Sequence, residues 1–554
     1  MGLERLRKGE DPKHRAANMA HPGDGASIRA RMASPTSARP LAQCAVVVSA
    51  KDNVAIVKSA LAAGDVVAFP DGRALPIPGE VTPGHRFATR DIPAGTFVLQ
   101  YGQPIGTSRG IQAGDPISHA NMSNEVPVVR DLPATLHNPA PDYVPPAQRA
   151  TFRGFLRDDG RVGTRNFVLI VPTSMCSSHE ALQIATIAEY AHWSRARFPN
   201  VDGVVALPHN KGCGCSDGSN LDVMLRTLAN YADHPNVGGV LFMDLGCEKT
   251  NLTLVEKYLK QRGGLSTQKP VHWIGVQECG GTQGAIEKGL ELVQQMLPIV
   301  NRAERSVQSA EHLSLGVKCG GSDGFSGLSA NPALGHAADL LVRNGGTVLI
   351  TEIPEFCGGE HLFAARAKDL ATAREVFAYV DWYKEYAGKF GTKLDDNPSP
   401  GNIKGGLLNI TIKSLGAMAK AGTTRVEGCT PYAQPPAHRG LTLMQGPGYD
   451  QESTPGLIGA GAQVVVFTTG RGTTIGNAVA PVLKLTSNTP IFRRMSRDLD
   501  LDAGTIIDGL ESIEQVGQRV FEHVLRCASG DVLARAEEQK HREFQLWAEQ
   551  SVSL

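Results

Sequence analysis

The sequence predicts an α/β protein, because short apolar segments alternate with segments of helical periodicity over the carboxy-terminal two-thirds of the chain. Seven apolar segments have the length of buried strands: 166–173, 201–207, 237–246, 271–277, 313–318, 346–353 and 462–469. Between them, residues 221–231 and 333–342 carry apolar side chains at helical spacing. This alternation predicts a mostly parallel sheet with helices on both faces. Ligands bind at the carboxyl ends of such strands, so we expect the active site at one edge of this sheet.

A different pattern precedes this region. Residues 44–122 contain short apolar runs broken at glycines, which predicts a small β domain. Residues 123–150 carry six prolines with little apolar periodicity, which predicts a stiff linker. The remaining predicted segments are a disordered leader (1–43), the first part of the α/β region (151–358), a helical insertion (359–400), and a carboxy-terminal α/β part with closing helices (401–554).

Composition excludes several classes of partner. The 554 residues include 55 basic and 55 acidic side chains, so no net positive charge favours a nucleic acid or an anionic membrane. No apolar run is long enough to cross a bilayer. Ten cysteines in a chain of this length do not form a disulfide scaffold, and free thiols suit a reducing compartment. We therefore expect a cytoplasmic protein with a small-molecule ligand.

Candidate metal ligands follow the predicted strands: Cys176, His209, Cys213, Cys247, Glu248 and Cys319. Imidazole, thiolate and carboxylate donors together suit a divalent cation such as Fe(II), with Mn(II) as an alternative. We expect His209, Cys213, Cys247 and Glu248 to surround the metal, with Cys176 and Cys319 in reserve. An iron–sulfur cluster held by the four cysteines is a competing possibility, and packing as small apolar side chains is another.

Two loops rich in glycine and hydroxyl groups follow predicted strands. They are CGGSDGFSG at 319–327 and TTGRGTTIG at 468–476, and such loops turn successive N–H groups towards an anion. Neither matches a nucleotide-binding signature, so no nucleotide cofactor is expected. The candidate substrate-binding residues are Asn121, Ser322, Asp323, Lys404, Thr469 and Arg471.

Several motifs resemble the altronate and galactarate dehydratase family of bacterial sugar-acid catabolism: GRVGTRN, GCE, CGGSDGFSG, TEIPE, NPSPGN and FTTGRGT. The resemblance covers residues 51–528. It implies that residues 44–122 form a SAF (β-clip) domain and that the carboxy-terminal region is Rossmann-like. It also implies an iron-dependent loss of water from a sugar acid, which yields a 2-keto-3-deoxy acid.

Dehydration of a sugar acid requires a base and an acid, for which His85, His119 and His209 are the candidates. Three other functions remain open: a sulfolactate sulfo-lyase on the same scaffold, an iron–sulfur dehydratase, and a non-catalytic sugar-acid binding protein. A homodimer is expected from the general prevalence of twofold-symmetric assemblies.

Overall fold

The computed structural model of the protein describes residues 38–261, 263–265 and 268–549. Residues 1–37 of the predicted disordered leader (1–43) lie outside the described residues. Its end does not fit that prediction, because Arg39–Pro40 forms a strand that pairs with Val67 and Ala68. Residues 39–43 are thus part of the small β domain.

The amino-terminal domain consists of three small three-stranded sheets. Its strands are β1 (Arg39–Pro40), β2 (Ala45–Val46), β3 (Val54–Val57), β4 (Val66–Ala68), β5 (Ala74–Pro76), β6 (Arg86–Ala88), β7 (Phe97–Gln100), β8 (Gln103–Ser108) and β9 (Met122–Ser123), with a short helix α1 (Leu41–Cys44). Val54 and Ile105 share one apolar cluster with Leu407 and Ile412 of the carboxy-terminal region. This shared core fixes the small domain against residues 407–415.

The second unit contains a four-stranded parallel sheet. Its strands are β10 (Thr151–Leu156), β11 (Val162–Gly163), β12 (Phe167–Pro172), β13 (Gly203–Ala206), β14 (Val237–Asp244), β15 (Val271–Gly275) and β16 (Arg305–Ser309), and its helices are α2 (Ser178–Ile187), α3 (Ser219–Asp233), α4 (Leu252–Gln261) and α5 (Thr282–Val300). The parallel sheet has the order β13-β12-β14-β15, and β10 pairs antiparallel with β11 and β16.

The third unit contains a seven-stranded parallel sheet of order β19-β20-β18-β17-β21-β22-β23. Its strands are β17 (Ser314–Cys319), β18 (Thr347–Ile350), β19 (Val426–Thr430), β20 (Gly440–Met444), β21 (Val464–Thr469), β22 (Val482–Thr486) and β23 (Leu501–Asp502). Its helices are α6 (Ala330–Arg343), α7 (Glu360–Ala365), α8 (Leu370–Lys389), α9 (Pro400–Lys404), α10 (Ile410–Met418), α11 (Asp450–Gly459), α12 (Thr489–Arg494), α13 (Gly504–Ile507), α14 (Ile513–Ala528) and α15 (Arg535–Glu538). None of the helices in the described part of the chain is long and apolar enough to span a membrane.

All seven predicted strands are confirmed, but the prediction of one sheet is wrong. The first four lie in the smaller parallel sheet, whereas β17, β18 and β21 lie in the larger one. Periodicity identifies a buried strand but does not identify its partners, and the antiparallel pair β10–β16 separates the two sheets. The protein is therefore mixed α/β with two carboxyl edges.

Each parallel sheet has a point where the chain changes direction between neighbouring strands. This switch point lies between β12 and β14 in the smaller sheet and between β17 and β21 in the larger one. Crevices for ligands form at such points, beyond the carboxyl ends of the strands. Two candidate binding regions follow from this topology.

α3 and α11 lie between the two parallel sheets and contact the same short segment. Arg226 and Asn230 of α3 donate to the carbonyls of Tyr432 and Ala433, and a Cβ on Gly456 or Gly459 of α11 would meet the same two residues. Both helices therefore pack against residues 432–433.

Candidate active site

His209 and Glu248 hold the loops at the edge of the smaller sheet. The Nε2 of His209 donates to the carbonyl of Pro172 at 2.9 Å, and its Nδ1 accepts from the N–H of Lys211 at 3.2 Å. The carboxylate of Glu248 accepts from Leu245 N, Gly246 N and Ser174 Oγ at 2.8–2.9 Å. The side chains of His209 and Glu248 are buried. Both stabilise loops in this structure, and their predicted roles as metal ligands, and that of His209 as an acid–base group, stay predictions.

The pH dependence of stability offers a test of this role for His209. Burial lowers its pKa to about 4, whereas an unfolded histidine has a pKa of about 6.5. Between these values the unfolded chain binds a proton that the folded chain does not, so stability falls as pH drops through this window. From pH 7 to 5 this residue alone should cost about 2 kcal/mol, measured from urea unfolding midpoints. The variant His209→Gln should lose that part of the pH dependence, while the control His179→Gln, at an exposed position, should retain it. If the free energy of unfolding changed with pH equally in the unmodified protein and in both variants, the assignment would be contradicted.

Three thiols of the smaller sheet remain exposed: Cys176, Cys213 and Cys247. They lie in the loops that follow β12, β13 and β14 respectively. The sulfur of Cys213 accepts from the N–H of Lys249 at 3.4 Å, and the sulfur of Cys247 accepts from Gln277 Nε2 at 3.5 Å. These thiols are the members of the predicted ligand set that remain available to a metal.

Cys319 lies in a different place, at the end of β17 in the larger sheet. It is buried beside Glu352, Glu355 and Lys420, and Lys420 Nζ lies 3.2 Å from its sulfur. Burial and the neighbouring Glu352 raise the pKa of the Cys319 thiol to about 12. Cys319 therefore lies in the other sheet from the exposed cysteines, and its role as a reserve metal ligand stays a prediction.

Buried lysines neutralise the carboxylates around Cys319. Lys318 contacts Glu352 and, at 2.7 Å, Asp450, while Lys420 contacts Glu352 at 2.8 Å. Lys318, Lys420 and Glu352 are fully buried. Burial alone would lower the pKa of Lys318, but Asp450 and Glu352 outweigh it and raise the pKa. These ammonium groups stay charged and form an ion-pair network.

Glu352 also has a strained backbone, with φ at +71°. A non-glycine residue in this left-handed region costs of order 1–3 kcal/mol and persists only where its surroundings hold it in place. Here Lys318 and Lys420 bind its side chain, and the N–H of Cys319 donates to it at 3.2 Å. Strain of this kind is concentrated at functional sites.

The second ion pair, between Lys413 and Glu355, lines a cavity. Lys413 Nζ lies 2.7 Å from Glu355 Oε1 and 2.9 Å from Asn397 Oδ1. Burial by itself would raise the pKa of Glu355, but Lys413 and Lys318 outweigh it and hold this pKa below its usual range. The cavity has a volume of about 380 Å³ and is also lined by Gly320, Gly321, Asn402 and Tyr449. It lies beyond the carboxyl ends of β17, β18 and β20 and contains a carboxylate beside a lysine amine.

Cys319, Glu352 and Glu355 form the only group in the described residues whose donor atoms lie mutually within 4.8 Å, as a single metal ion requires. The three lysines within hydrogen-bonding distance of these side chains already balance their negative charge. A divalent cation would add two positive charges among three ammonium groups. This group does not fit a metal ion.

The predicted substrate-binding residues have different positions. Asp323 is buried, accepts hydrogen bonds from Ser326, Ser487 and Asn488, and so fastens its loop instead of facing a ligand. Thr469 is buried, and its hydroxyl accepts from the N–H of Gly472. The side chains of Asp323 and Thr469 thus hold their own loops, and their binding roles stay predictions.

Arg471, Ser322 and Lys404 lie around the cavity at different depths. Arg471 is exposed and lies beside Gly401 and Gly321 at the rim. No described residue hydrogen-bonds the buried Ser322 hydroxyl, although the Ser322 carbonyl accepts from Asn402. Lys404 has an exposed side chain and does not line the cavity, so this cavity gives no support to its predicted binding role.

The small domain contacts the residues that precede α10. Nε2 of His85 donates to the carbonyl of Lys404 at 3.3 Å, and Nε2 of His119 to that of Leu408 at 2.8 Å. Asn121 forms hydrogen bonds within its own turn, to Ser118 and Pro116. None of these predicted catalytic or binding residues lines the cavity with Glu355 and Lys413.

His119 instead lines a second cavity of about 450 Å³, which lies between the small domain and α7, α8 and α10. This cavity is larger, but neither Glu355 nor Lys413 lines it. We therefore place the chemistry in the smaller cavity.

Sequence reasoning missed the four charged residues that dominate the site: Lys318, Glu352, Lys413 and Lys420. Lys318 is the last residue of a predicted apolar strand, and Lys413 and Lys420 lie seven residues apart in an apolar segment. A lysine at a position that the pattern assigns to the core is itself a signal, because such lysines are rarely buried without a partner.

Comparison with known proteins gives three matching family models and several relatives. The models are "Altronate/galactarate dehydratase SAF domain" at residues 43–125, "D-galactarate dehydratase/Altronate hydrolase, second domain" at 154–301, and "D-galactarate/Altronate dehydratase, C-terminal" at 310–552. Together they match each of the three structural units in chain order.

Three relatives cover most of the chain. Galactarate dehydratase (L-threo-forming) of Escherichia coli is 35% identical over 494 residues, covering 86% of this chain and 91% of the relative. Altronate dehydratase of Escherichia coli is 34% identical, covering 87% and 94%. The beta subunit of (2R)-sulfolactate sulfo-lyase from Chromohalobacter salexigens is 32% identical, covering 72% and 97%. On these matches, the chain belongs to the galactarate and altronate dehydratase family.

Proposed function

We propose that this protein is a hydro-lyase that removes water from a sugar acid of the galactarate or altronate type and releases a 2-keto-3-deoxy acid. Membership of a dehydratase family supports the reaction class. The observation that carries the proposal is the Lys413–Glu355 pair, which lines a polar cavity at the carboxyl edge of the larger sheet.

The reaction removes a weakly acidic proton beside a carboxylate and expels the hydroxyl group on the next carbon. A base must take the proton, an acid must protonate the leaving hydroxyl, and positive charge must stabilise the enediolate. The resulting enol tautomerises to the keto acid. No oxidation or reduction occurs.

Glu355 and Lys413 have the charges that these two steps need. Neighbouring ammonium groups keep Glu355 ionised, so it acts as the base that accepts the proton. Lys413 lies beside it and protonates the departing hydroxyl. The sequence had suggested His85, His119 and His209 for these roles, and the pair in the cavity replaces them.

The substrate carboxylates require donors at the rim. Gly320, Gly321 and Asn402 line the cavity, and Arg471 lies beside Gly321. An arginine in this position would form a bidentate pair with the distal carboxylate of a diacid.

Replacement of Arg471 tests this carboxylate contact. We expect Arg471→Ala to raise the KM for a diacid about tenfold or more with a smaller change in kcat, because an ion pair to substrate contributes on the order of 1.5–3 kcal/mol. Steady-state kinetics with a diacid and the matching monoacid would measure the rise in KM. This rise should be larger for the diacid. Lys404→Ala, a loss of exposed charge outside the cavity, is the control. An unchanged KM in the Arg471 variant would remove this residue from the site.

The proposed function retains a metal cofactor, for which the sequence predicts Fe(II) or Mn(II). The exposed thiols of Cys176, Cys213 and Cys247 would hold it, and thiolates favour iron over Mn(II), either as a single ion or in a cluster. When bound, it would supply Lewis-acid stabilisation of negative charge on oxygen.

A screen of aldonates and aldarates with added iron under anaerobic conditions tests the function. Formation of a 2-keto-3-deoxy acid supports the proposal. Release of sulfite from sulfolactate would indicate a sulfo-lyase instead. The similarity to a sulfo-lyase subunit is the observation that favours this second candidate function. Tight binding of a sugar acid without any product would instead indicate a binding protein.

A further inference from the structure

We infer that Cys176, Cys213 and Cys247 hold an iron–sulfur cluster through three thiolates, at the switch point of the smaller sheet. The carboxyl ends of β12, β13 and β14 each lead into a loop that carries one of these cysteines. All three side chains are exposed, whereas Cys44, Cys215, Cys319 and Cys527 are buried. Three accessible thiols on three neighbouring loops form a cluster of soft ligands outside the Lys413–Glu355 cavity.

Direct hydrogen bonds join these loops to one another. The N–H of Met175 donates to the carbonyl of Lys211 at 2.6 Å, which joins the first loop to the second. The hydroxyl of Ser174 donates to Glu248 at 2.8 Å, which joins the first to the third. The N–H of Lys249 donates to the sulfur of Cys213 at 3.4 Å, which joins the second to the third. Each thiol is therefore held on a loop that is fixed to the other two.

The donor atoms of these loops do not come close enough together to share a single ion. No combination of three donors from these loops lies mutually within 4.8 Å, although all the residues concerned are among those described. His209 and Glu248, which would complete a single-ion site, are committed to main-chain N–H and C=O groups. A cluster of several irons has separate iron atoms for separate thiolates, so its ligands stand farther apart than those of one ion.

The surroundings suit the negative charge of a thiolate-bound cluster. The sulfurs of Cys213 and Cys247 accept N–H hydrogen bonds, an interaction that tunes iron–sulfur centres. The loops also lead into α2, α3 and α4, whose amino-terminal ends favour negative charge. On binding, the three thiols lose their protons and each forms one sulfur–iron bond.

Three thiolates leave one iron of a four-iron cluster without a protein sulfur. An iron of this kind would take an oxygen ligand and would supply Lewis-acid chemistry there. A role in dehydration rests on the proposed function, whereas the assignment of the cluster site does not.

Reconstitution of the full chain under anaerobic conditions tests the assignment. Purified protein would be incubated with Fe(II), Fe(III) and sulfide, desalted, and assayed for bound iron and sulfide, visible absorbance, and the electron paramagnetic resonance of the reduced sample. We expect about four irons and four sulfides per chain, with broad sulfur-to-iron absorbance. Cys176→Ala, Cys213→Ala and Cys247→Ala should each lose most of the bound sulfide and the absorbance.

The controls are Cys215→Ala, two residues from Cys213 but buried, Cys279→Ala at the end of β15, and Cys319→Ala in the larger sheet. All three should retain the cluster, and circular dichroism of every variant without iron should match the unmodified chain. Iron bound without sulfide, loss of the cluster in Cys319→Ala, or no iron at all would overturn the inference. Lys413→Ala should bind the cluster but lack turnover. If the unmodified chain bound the cluster but dehydrated no sugar acid, the proposed function would be rejected and the cluster site would stand.

Discussion

Lys413→Ala should lower kcat for sugar-acid dehydration by about 10²–10⁴-fold, because this variant removes the proposed acid of the reaction. Lys413 Nζ bonds Glu355 Oε1 at 2.7 Å inside the cavity, so its loss also leaves Glu355 without its nearest positive charge. The pKa of Glu355 should then rise. We therefore expect the acidic limb of the pH–rate profile of the residual activity to move to higher pH, which a purely structural role of Lys413 would not produce.

Lys389→Ala is the matched control, since Lys389 is an exposed lysine in the last turn of α8. It should leave kcat unchanged. Keto-acid formation would be measured over a range of pH, together with the circular dichroism of each variant. A Lys413→Ala enzyme with normal kcat would remove this residue from the mechanism and leave the cavity without an acid.

Lys420→Met should destabilise the protein by about 3–5 kcal/mol, because it removes one partner from a buried ion-pair network. Lys420 is fully buried and contacts Glu352 at 2.8 Å and Cys319 at 3.2 Å. Its loss leaves part of the charge of Glu352 buried without compensation. The strained backbone of Glu352, with φ at +71°, would also lose one of the side-chain contacts that hold it.

An exposed lysine pair gives the contrast. Lys260 lies 2.9 Å from Glu256 on α4, with both side chains more than half exposed, so Lys260→Met should change stability by at most about 1 kcal/mol. Urea unfolding followed by fluorescence would compare the variants. If Lys420→Met were no less stable than Lys260→Met, the network around Glu352 would contribute little to the fold. Adding Glu352→Gln to Lys420→Met should restore part of the lost stability, since both partners are then neutral.

Local pattern was sufficient to locate the strands and the loops that follow them. Each of the seven apolar runs is a strand, and the CGGSDG, TEIPE and NPSPGN segments all contribute residues to one cavity. Pattern was less informative about individual side chains. His209 and Glu248 looked like metal ligands in the sequence, yet their hydrogen-bonding atoms are used by nearby main-chain groups.

The amino-acid order alone determined the α/β class, the family and the existence of reactive loops at strand ends, because period-two and period-3.6 patterns and short motifs are local properties. Only the tertiary structure decided that the loops belong to two sheets, that three thiols gather at one edge, and that Lys413 meets Glu355 at the other. These pairings join residues far apart in the chain; Glu355 and Lys413, for example, are 58 positions apart. Contacts over such separations depend on which strands become neighbours, and no local pattern encodes that choice.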